Sequence, residues 1–391
     1  MAHDNVNLNE YKDVDIRNKR KVLVIYTHFP HYRQPVFDAL SRSERFNFEF
    51  YYDYNGIEET ILSGFSGRSD HHQMKTLRIG PFLWQSGALL LALRDKAHAF
   101  VFLGNPFILS TWLSALIARV RGSRVFFWTH GWVRDEHGAR DRIRRLFYRL
   151  ADGLLLYGER ARQLGIERGF KPQILHVIGN SLDYEKQARL RDKLLAEPRS
   201  VSERLVRKPY FLVVARLVES ARIDLAIEAM ASLGASAALV VIGDGPDRAK
   251  LELLASASGV DARFEGALYS EEELAPYFLN CAAVVSPGKV GLLAMHALAY
   301  GAAVITHGRL DQQMPEFEAI VEGVTGAFFD YQNVSDLAAV LQAALDQALT
   351  GKNFDARRKV AIATIENGYT PQRQVELIEA ALLSEGGVAD G

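Results

Sequence analysis

Glycines recur in this 391-residue chain where apolar runs give way to helical segments. In "VVIGDGPDRAKLELLA", Gly243 and Gly245 permit a tight turn, and a helix start follows. In "VVSPGKVGLLAMHALAYGAAVITHG", Gly288 and Gly291 precede a second helix start. Free N–H groups at a helix start bind anions. Both segments therefore predict contacts to phosphate or ribose oxygens. The first alone is equally typical of a plain turn between strand and helix, whereas the second is the more specific pattern.

Charged and imidazole side chains stand at similar positions. Arg216 follows the run "PYFLVVA", and a guanidinium there could hold a diphosphate through two parallel hydrogen bonds. His130 follows "SRVFFWT", and Glu316 lies between glycine turns, where a carboxylate could accept hydrogen bonds from sugar hydroxyls. The loop after the first apolar run holds a polar group suited to a second substrate, namely His28, His31, Tyr32 and Arg33. The plainer interpretations are a surface charge for Arg216, an acid that stabilises a helix start for Glu316, and an ordinary polar loop for the last four residues.

Two series of strand-like runs predict the elements that position these residues. Runs rich in Val, Phe and Tyr alternate with helical segments, pause in a charged stretch, and then resume. The predicted fold class is α/β, with two doubly wound parallel-sheet (Rossmann-like) domains facing across a cleft. Ligands of such sheets bind beyond the carboxyl ends of the strands. The predicted limits are a polar tail (1–20), a first domain (21–182), a linker (183–208), a second domain (209–365), and a last helix with a tail (366–391), the helix crossing back to the first domain.

Composition excludes several classes of function. The net charge of −1 argues against nucleic acid as a partner. A single cysteine, Cys281, allows no internal disulfide, and the polar start of the chain does not resemble a secretory signal. Apolar runs fall short of the ~20 residues that a membrane helix needs. We therefore expect a cytoplasmic protein, with membrane contact that is peripheral at most.

No metal or cofactor is expected. Histidine and cysteine do not occur at zinc-binding spacing, and the only "DVD", Asp13 to Asp15, lies in the polar tail. A phosphate-binding "GxxxxGK[ST]" loop is also absent.

The segment "RDRIRRLFYRLADG" is basic on one helical face and apolar on the other. Its apolar face comprises Ile143, Leu146, Phe147 and Leu150. Such a helix suits an anionic membrane surface, and it equally suits an ordinary surface helix packed on its sheet.

The order and spacing of these motifs resemble the family-4 retaining glycosyltransferases of the GT-B fold. The resemblance covers about Lys21 to Leu383 and is strongest over "ARLVES…IDLAIEA", "VIGDGP", "FEGAL", "SPGKVGL…HALAYG" and "MPEFEAI…GVTGAFF".

The resemblance implies a reaction and a site. The second domain would bind a nucleotide diphosphate sugar, either a UDP-sugar or a GDP-sugar, and the first domain would bind a saccharide acceptor that is lipid-linked. Arg216 would hold the diphosphate, His130 would contact the donor sugar, and the backbone from Phe264 through Glu265 to Gly266 would meet the base. The implied donor-binding residues are Ala221, Arg222, Gly243, Gly245, Phe264, Gly266, Gly288, Val290, Gly291, Leu292 and His296.

This sequence departs from the family pattern in two places. The two glutamates that the family spaces eight positions apart fall on Gly288 and His296, which puts His296 at the ribose and leaves Glu316 as the candidate for the sugar. The family's phosphate-binding lysine falls on Ala221, next to Arg222. Either Arg222 substitutes, or the enzyme is weakened by about 2–4 kcal/mol of transition-state stabilisation. A nucleotide-sugar epimerase of the same fold and a binding protein without turnover remain alternatives.

Overall fold

Two parallel β-sheets covered by helices form the computed structural model, which describes residues 19–55, 68–135, 137–196, 208–351 and 354–384. Residues 1–18 of the predicted tail, which contain its "DVD", and the linker residues 197–207 lie outside the described residues. The expected α/β class with two Rossmann-like domains is confirmed.

The first sheet has seven parallel strands in the order β3-β2-β1-β6-β7-β8-β9, beside a separate antiparallel hairpin, β4-β5. Its elements, in chain order, are β1 (Arg20–Ile25), α1 (Gln34–Ser41), β2 (Phe46–Tyr52), β3 (His71–Gln73), β4 (Thr76–Ile79), β5 (Phe82–Gln85), α2 (Ala88–Arg94), β6 (Ala99–Leu103), α3 (Leu109–Val120), β7 (Arg124–Thr129), α4 (Ala139–Tyr148), β8 (Gly153–Leu156), α5 (Glu159–Glu167) and β9 (Leu175–Val177).

The second sheet has six parallel strands in the order β12-β11-β10-β13-β14-β15. Its elements are α6 (Tyr184–Ala196), β10 (Tyr210–Val214), α7 (Ile223–Leu233), β11 (Ala238–Ile242), α8 (Arg248–Ala257), β12 (Ala262–Gly266), α9 (Glu271–Asn280), β13 (Ala283–Ser286), α10 (Leu292–Ala299), β14 (Val304–His307), β15 (Gly326–Phe329), α11 (Val334–Thr350) and α12 (Phe354–Gly368). A final helix, α13 (Pro371–Leu383), ends the described chain.

Both sheets are buried on their two faces, because alternate side chains of each strand enter different cores. In β1, Val22 and Val24 join one apolar cluster, whereas Leu23 and Ile25 join the opposite one. In the second sheet, Leu212 and Phe211 of β10 likewise point to opposite clusters. Strands buried in this way read as continuous apolar runs, which is why the sequence revealed them.

The last helix belongs spatially to the first domain. Thr370 caps it by accepting a hydrogen bond from the Arg373 amide, and its apolar face packs on α1. Val375 and Ile378 are part of the first domain's core. The helix α6 packs instead on α9 and α10 of the second domain.

Helix α4 corrects one detail of the sequence analysis. Phe147 is buried, as its place on the apolar face predicts, but Ile143 and Leu146 on the same face are exposed. Burial therefore covers only part of the predicted apolar face.

Candidate functional site

The carboxyl ends of β10 and β13 form one edge of the candidate site. These strands are neighbours, and the strand order reverses direction between them, with β11 and β12 on one side and β14 and β15 on the other. Arg216 follows β10, and the loop from Gly288 to Gly291 follows β13 and ends at the start of α10. A doubly wound sheet opens a ligand crevice at such a reversal. The residues that the sequence analysis assigns to the diphosphate therefore follow two neighbouring strands at this reversal.

Glycine is required in these loops because the chain passes close to itself. A Cβ on Gly243 would lie 1.8 Å from the carbonyl oxygen of Ala215, and one on Gly245 would lie 2.3 Å from that of Leu217. A Cβ on Gly288 would lie 2.4 Å from the carbonyl oxygen of Ser220. The glycines thus let the loops after β11 and β13 pack against the segment that carries Arg216.

The loop before α10 is fixed by Gln313. The Val290 side chain is fully buried, and its amide donates a hydrogen bond of 2.8 Å to Gln313 Oε1. The Gln313 amide group in turn donates to Thr306 Oγ1 and to the His307 carbonyl. Val290 therefore positions the loop, while Leu292, the first residue of α10, lies where a helix has no internal partner for its amide.

Four residues near the predicted phosphate position differ in their exposure and in their side-chain partners. Ala221 is half-buried beside Gly288, and Arg222 is bound to Asp224 through hydrogen bonds of 3.0–3.2 Å. Arg216 and Lys289 are exposed, and neither side chain pairs with another residue in the described part of the chain. Lys289 is a further candidate for this site that the sequence analysis did not assign, because only the contact between Gly288 and the 220–221 backbone places it beside position 221.

A cavity of about 670 Å³ opens between the domains. His31 and Tyr32 line it from the first domain, and His296, Leu268 and Tyr269 line it from the second. Its walls therefore join predicted acceptor-side and ribose-side residues.

His296 is held in place by other residues of the second domain. Its Nε2 lies 2.7 Å from Glu271 Oε1, and its ring lies 4.4 Å from that of Phe278. Burial raises the pKa of Glu271, but the hydrogen bonds from His296 and Tyr300 outweigh it and lower the pKa below its ordinary value. The His296–Glu271 pair thus lines the cavity.

The end of strand β12 contributes backbone groups to the candidate site. The Arg248 side chain donates to the Phe264 carbonyl at 3.0 Å, and the Gly243 amide donates to the Gly266 carbonyl at 2.7 Å. Gly266 has a φ of +80°, which glycine adopts easily. These bonds fix the backbone that the sequence analysis assigns to a base.

Arg33 is a buried cation held by aromatic residues. Its guanidinium donates to the hydroxyls of Tyr26 and Tyr157 and lies 5.5 Å from the centre of the Trp128 ring. The Arg33 side chain has no carboxylate partner among the described residues. Burial lowers its pKa, but the neighbouring tyrosines raise it above its ordinary value, so the charge persists.

The positive charge of Arg33 affects the pKa values of His130 and Glu316. Part of His130 is exposed, but desolvation of its ring and the Arg33 guanidinium lower its pKa to about 4, so the ring is neutral near pH 7. Burial raises the pKa of Glu316, while Asn180 and Arg33 lower it in part. The structure therefore brings Arg33, His130 and Glu316 together, although they come from three distant parts of the sequence.

Glu316 bridges the two domains. Asn180 Nδ2 donates a hydrogen bond of 2.8 Å to Glu316 Oε1, and Glu316 Oε2 has no partner among the described residues. Its neighbour Glu318 accepts hydrogen bonds from the amides of Glu159 and Arg160 and so caps α5 across the cleft. The first of these carboxylates is buried near Arg33, and the second links its domain to α5 of the other.

The other acceptor-side residue, His28, is half-buried, with its Nδ1 3.4 Å from Thr27 Oγ1. Within the described residues, no group of three His, Cys, Asp or Glu side chains could hold a metal ion. The helices of the described ranges include none long and apolar enough to cross a membrane.

Sequence comparison identifies part of the chain. Residues 196–361 match the family described as Glycosyl transferases group 1, and this range contains every residue assigned to the donor in the sequence analysis except His130. No curated protein matches the chain as a detectable relative.

Comparison with solved structures confirms the GT-B fold. Anabaena HepE in complex with UDP has a TM-score of 0.69 at 13% identity, covering 94% of this chain and 100% of that chain. A glycosyltransferase from Rickettsia africae gives 0.70 at 14% identity, with 94% and 100% covered. The lipopolysaccharide outer core galactosyltransferase WaaB gives 0.65 at 14% identity, with 93% and 99% covered.

Proposed function

We propose that this protein, whose residues 196–361 match the group 1 glycosyl transferases, moves a sugar from a nucleotide diphosphate sugar to an acceptor hydroxyl in its cleft. The observation that carries the proposal is the edge where β10 and β13 end. Two exposed cations, Arg216 and Lys289, stand there beside the start of α10. Cations and a helix start at one crevice suit a diphosphate.

Lys289 is our candidate for the second phosphate-binding cation. Position 221 holds an alanine, and Arg222 is engaged by Asp224. Gly288 touches the backbone of residues 220 and 221, so Lys289 projects from the loop that lies against the missing lysine's position. On this proposal the alanine at position 221 does not by itself weaken the enzyme.

The large cavity supports a nucleoside position. His296 would contact the ribose, and the backbone from Phe264 to Gly266 would contact the base. A uracil base is the first choice, because the structurally similar HepE was crystallised with UDP and with UDP-glucose. The sugar would then extend toward His130 and Glu316.

The proposed reaction retains the anomeric configuration and uses no metal ion. A leaving diphosphate oxygen would accept the proton of the acceptor hydroxyl as the new glycosidic bond forms on the same face. Arg216, Lys289 and the start of α10 would stabilise the charge that develops on the diphosphate. Neutral His130 can donate a hydrogen bond to a sugar hydroxyl without adding a second charge beside Arg33.

The acceptor is proposed to be a saccharide, lipid-linked as in the resembled family, in glycan or polysaccharide synthesis. It would enter from the loop that contains His28, His31 and Tyr32. Arg33 and Glu316 lie deeper and would orient the two sugars at the reacting centre. Glu316 Oε2 supports a role in orienting a sugar, because this buried oxygen has no partner among the described residues and can accept a hydrogen bond from a sugar hydroxyl.

Thermal-shift binding to UDP, GDP, ADP and CMP is the first test of the donor site. Selective stabilisation by one diphosphate is the expected result, because a ligand that binds only the folded state raises its melting temperature. No shift with any of the four would remove the donor site and with it the proposed function.

Turnover separates the remaining candidates. A transferase releases the nucleotide diphosphate only when an acceptor is present, and the product's anomeric configuration tests retention. An epimerase would convert the donor without an acceptor. Nucleotide-sugar binding without either reaction would favour a binding protein without turnover. The departures from the family pattern at Ala221, Gly288 and His296 are consistent with that alternative.

A further inference from the structure

Helix α3 has its amphipathic faces reversed. Its buried positions carry small or hydroxyl-bearing residues, whereas Leu113, Leu116 and Val120 are 48%, 51% and 81% exposed. The buried residues of α3 are Ser110, Thr111, Ser114, Ala115 and Ala118. A surface helix ordinarily turns its leucines to the core. The outward leucines of α3 therefore are not explained by packing against the described part of the chain.

Helix α2 repeats the reversal. Ala88 and Ala92 are buried, while Leu90 and Leu93 are exposed. The two helices pack side by side, so their outward leucines form one surface.

The hairpin β4-β5 and helix α4 extend this surface. Phe82 of the hairpin and Phe107 before α3 are both exposed, with ring centres 6.2 Å apart. Helix α4 joins α3 through the Trp112–Phe147 ring contact of 4.9 Å. We call the combined surface the apolar face; its exposed members are Leu77, Ile79, Phe82, Leu90, Leu93, Phe107, Leu109, Leu113, Leu116, Val120, Ile143 and Leu146. An apolar surface of this extent marks an interaction site.

The segments that carry the apolar face are strongly basic. Residues 75–124 and 139–150 contain 12 Lys or Arg and 2 Asp, whereas the remainder of the chain contains 34 Lys or Arg and 45 Asp or Glu. Both aspartates are engaged, Asp95 by Lys21 and Asp141 by Arg145. The near-zero net charge of the whole protein thus conceals a segregation of charge.

Charge decides between the possible occupants of this face. A second copy of the chain, docked through the same face, would bring two sets of about ten net positive charges together. An anionic bilayer offers both the apolar interior for the leucines and the negative headgroups for the surrounding arginines. Exposed Arg78, Arg94 and Arg121 make no side-chain pair with the residues described.

The apolar face also adjoins the acceptor side of the cleft. Gln85 of the hairpin donates a hydrogen bond of 2.6 Å to the Tyr26 carbonyl, and Thr76 Oγ1 donates to that of Thr27. These carbonyls begin the loop that leads to Arg33. A molecule anchored in a bilayer beneath the hairpin would therefore lie near that loop.

We propose that the apolar face with its basic surround docks the protein on an anionic lipid bilayer, with the acceptor loop at the membrane side. The docking itself rests on the apolar face and the charge; only its use, the capture of a lipid-linked acceptor, rests on the proposed function. Side chains of the hairpin, α2, α3 and α4 would enter the bilayer, but no element would cross it.

Vesicle flotation tests the proposal. The whole chain is mixed with vesicles in the absence of nucleotide and acceptor. One set of vesicles is pure phosphatidylcholine, and the other also contains roughly 30–40% phosphatidylglycerol, which gives the surface a negative potential. Leu113→Asp combined with Leu116→Asp is the test variant. Leu253→Asp combined with Leu349→Asp is the matched control, because both leucines are well exposed outside the face.

Binding of the wild type and the control to anionic vesicles, with at least tenfold weaker binding of the test variant, is the expected result. Arg140→Gln combined with Arg142→Gln should weaken binding mainly at low salt. The proposal is overturned if the wild type does not float with anionic vesicles, or if test and control variants behave alike. It is also overturned if the test variant only dissociates a dimer, as measured by light scattering.

UDP binding by each variant keeps this result separate from the proposed function. The substituted leucines lie outside the donor site, so UDP affinity should be unchanged. Loss of vesicle binding with intact UDP binding concerns the apolar face alone, whereas a protein that floats but binds no nucleotide diphosphate would contradict the proposed function alone.

Discussion

Moving one positive charge between two touching loops tests the proposed phosphate site. Lys289→Ala removes the candidate cation, and Ala221→Lys introduces a lysine on the opposite loop. The two loops meet where Gly288 lies against the carbonyls of Ser220 and Ala221. A lysine on either loop should therefore reach the same diphosphate, and the double variant should recover what Lys289→Ala loses.

The expected magnitude follows from the surroundings of Lys289. The side chain is exposed and unpaired within the described ranges, so its removal leaves no buried charge and should change the free energy of unfolding by less than about 0.5 kcal/mol. A hydrogen bond to a charged group is worth about 1.5–3 kcal/mol. Lys289→Ala should therefore weaken binding of the preferred nucleoside diphosphate about 10- to 150-fold.

Titration calorimetry provides the measurement, with the matching nucleoside as an internal reference. Uridine, which lacks phosphates, should bind the wild type and Lys289→Ala equally if the base is uracil. Lys250→Ala is the matched control, since Lys250 is an exposed lysine on α8 away from the loop.

Two outcomes would refute the reasoning. Unchanged diphosphate affinity in Lys289→Ala would exclude Lys289 from the site. A strong gain from Ala221→Lys alone, with no effect of Lys289→Ala, would instead show that position 221 is the weak point of the enzyme.

Three further predictions concern other parts of the molecule. Arg216→Ala should lower turnover at least ~100-fold while leaving the melting temperature unchanged; near-normal turnover would remove Arg216 from the site. Gly243→Ala should destabilise the protein by about 3 kcal/mol or more in urea unfolding, because its Cβ would collide with the Ala215 carbonyl, whereas Gly308→Ala meets only ordinary contacts and should be mild. The free energy of unfolding should fall as the pH drops from about 6.5 to 4, because histidines with a native pKa of about 4 bind protons in this range only when the chain is unfolded. His307→Gln should make this fall smaller. A free energy of unfolding that does not change with pH over this range would contradict the prediction. The histidines concerned are His130, His176 and His307.

The sequence revealed the two sheets because their central strands are buried on both faces. It did not reveal β12 or the hairpin β4-β5. Residues of β12 are half-buried or exposed at a sheet edge, and those of the hairpin are largely exposed, so neither forms a continuous apolar run. Apolar periodicity also does not tell an inward face from an outward one, as Ile143 and Leu146 demonstrate.

The site could be predicted as far as single strand ends allow. Arg216 and the glycine loops follow strands directly, so their motifs pointed to them. Lys289, Gln313 and Asn180 escaped prediction because their importance comes from contacts between loops that are distant in sequence. The roles assigned to His130, Glu316 and His296 stay predictions until variants are measured.

The position of α13 has a consequence for how the protein is made. The first domain's core includes Val375, Ile378 and Leu382, which are translated about 200 residues after β9. At typical synthesis rates of about 5–20 residues per second, that interval lasts roughly 10–40 s. During this time the apolar surface of α1 that α13 covers stays open on the ribosome. The first domain can therefore finish folding only after the second domain has been synthesised, and a fragment that stops before Pro371 should leave the first domain incomplete and prone to aggregate.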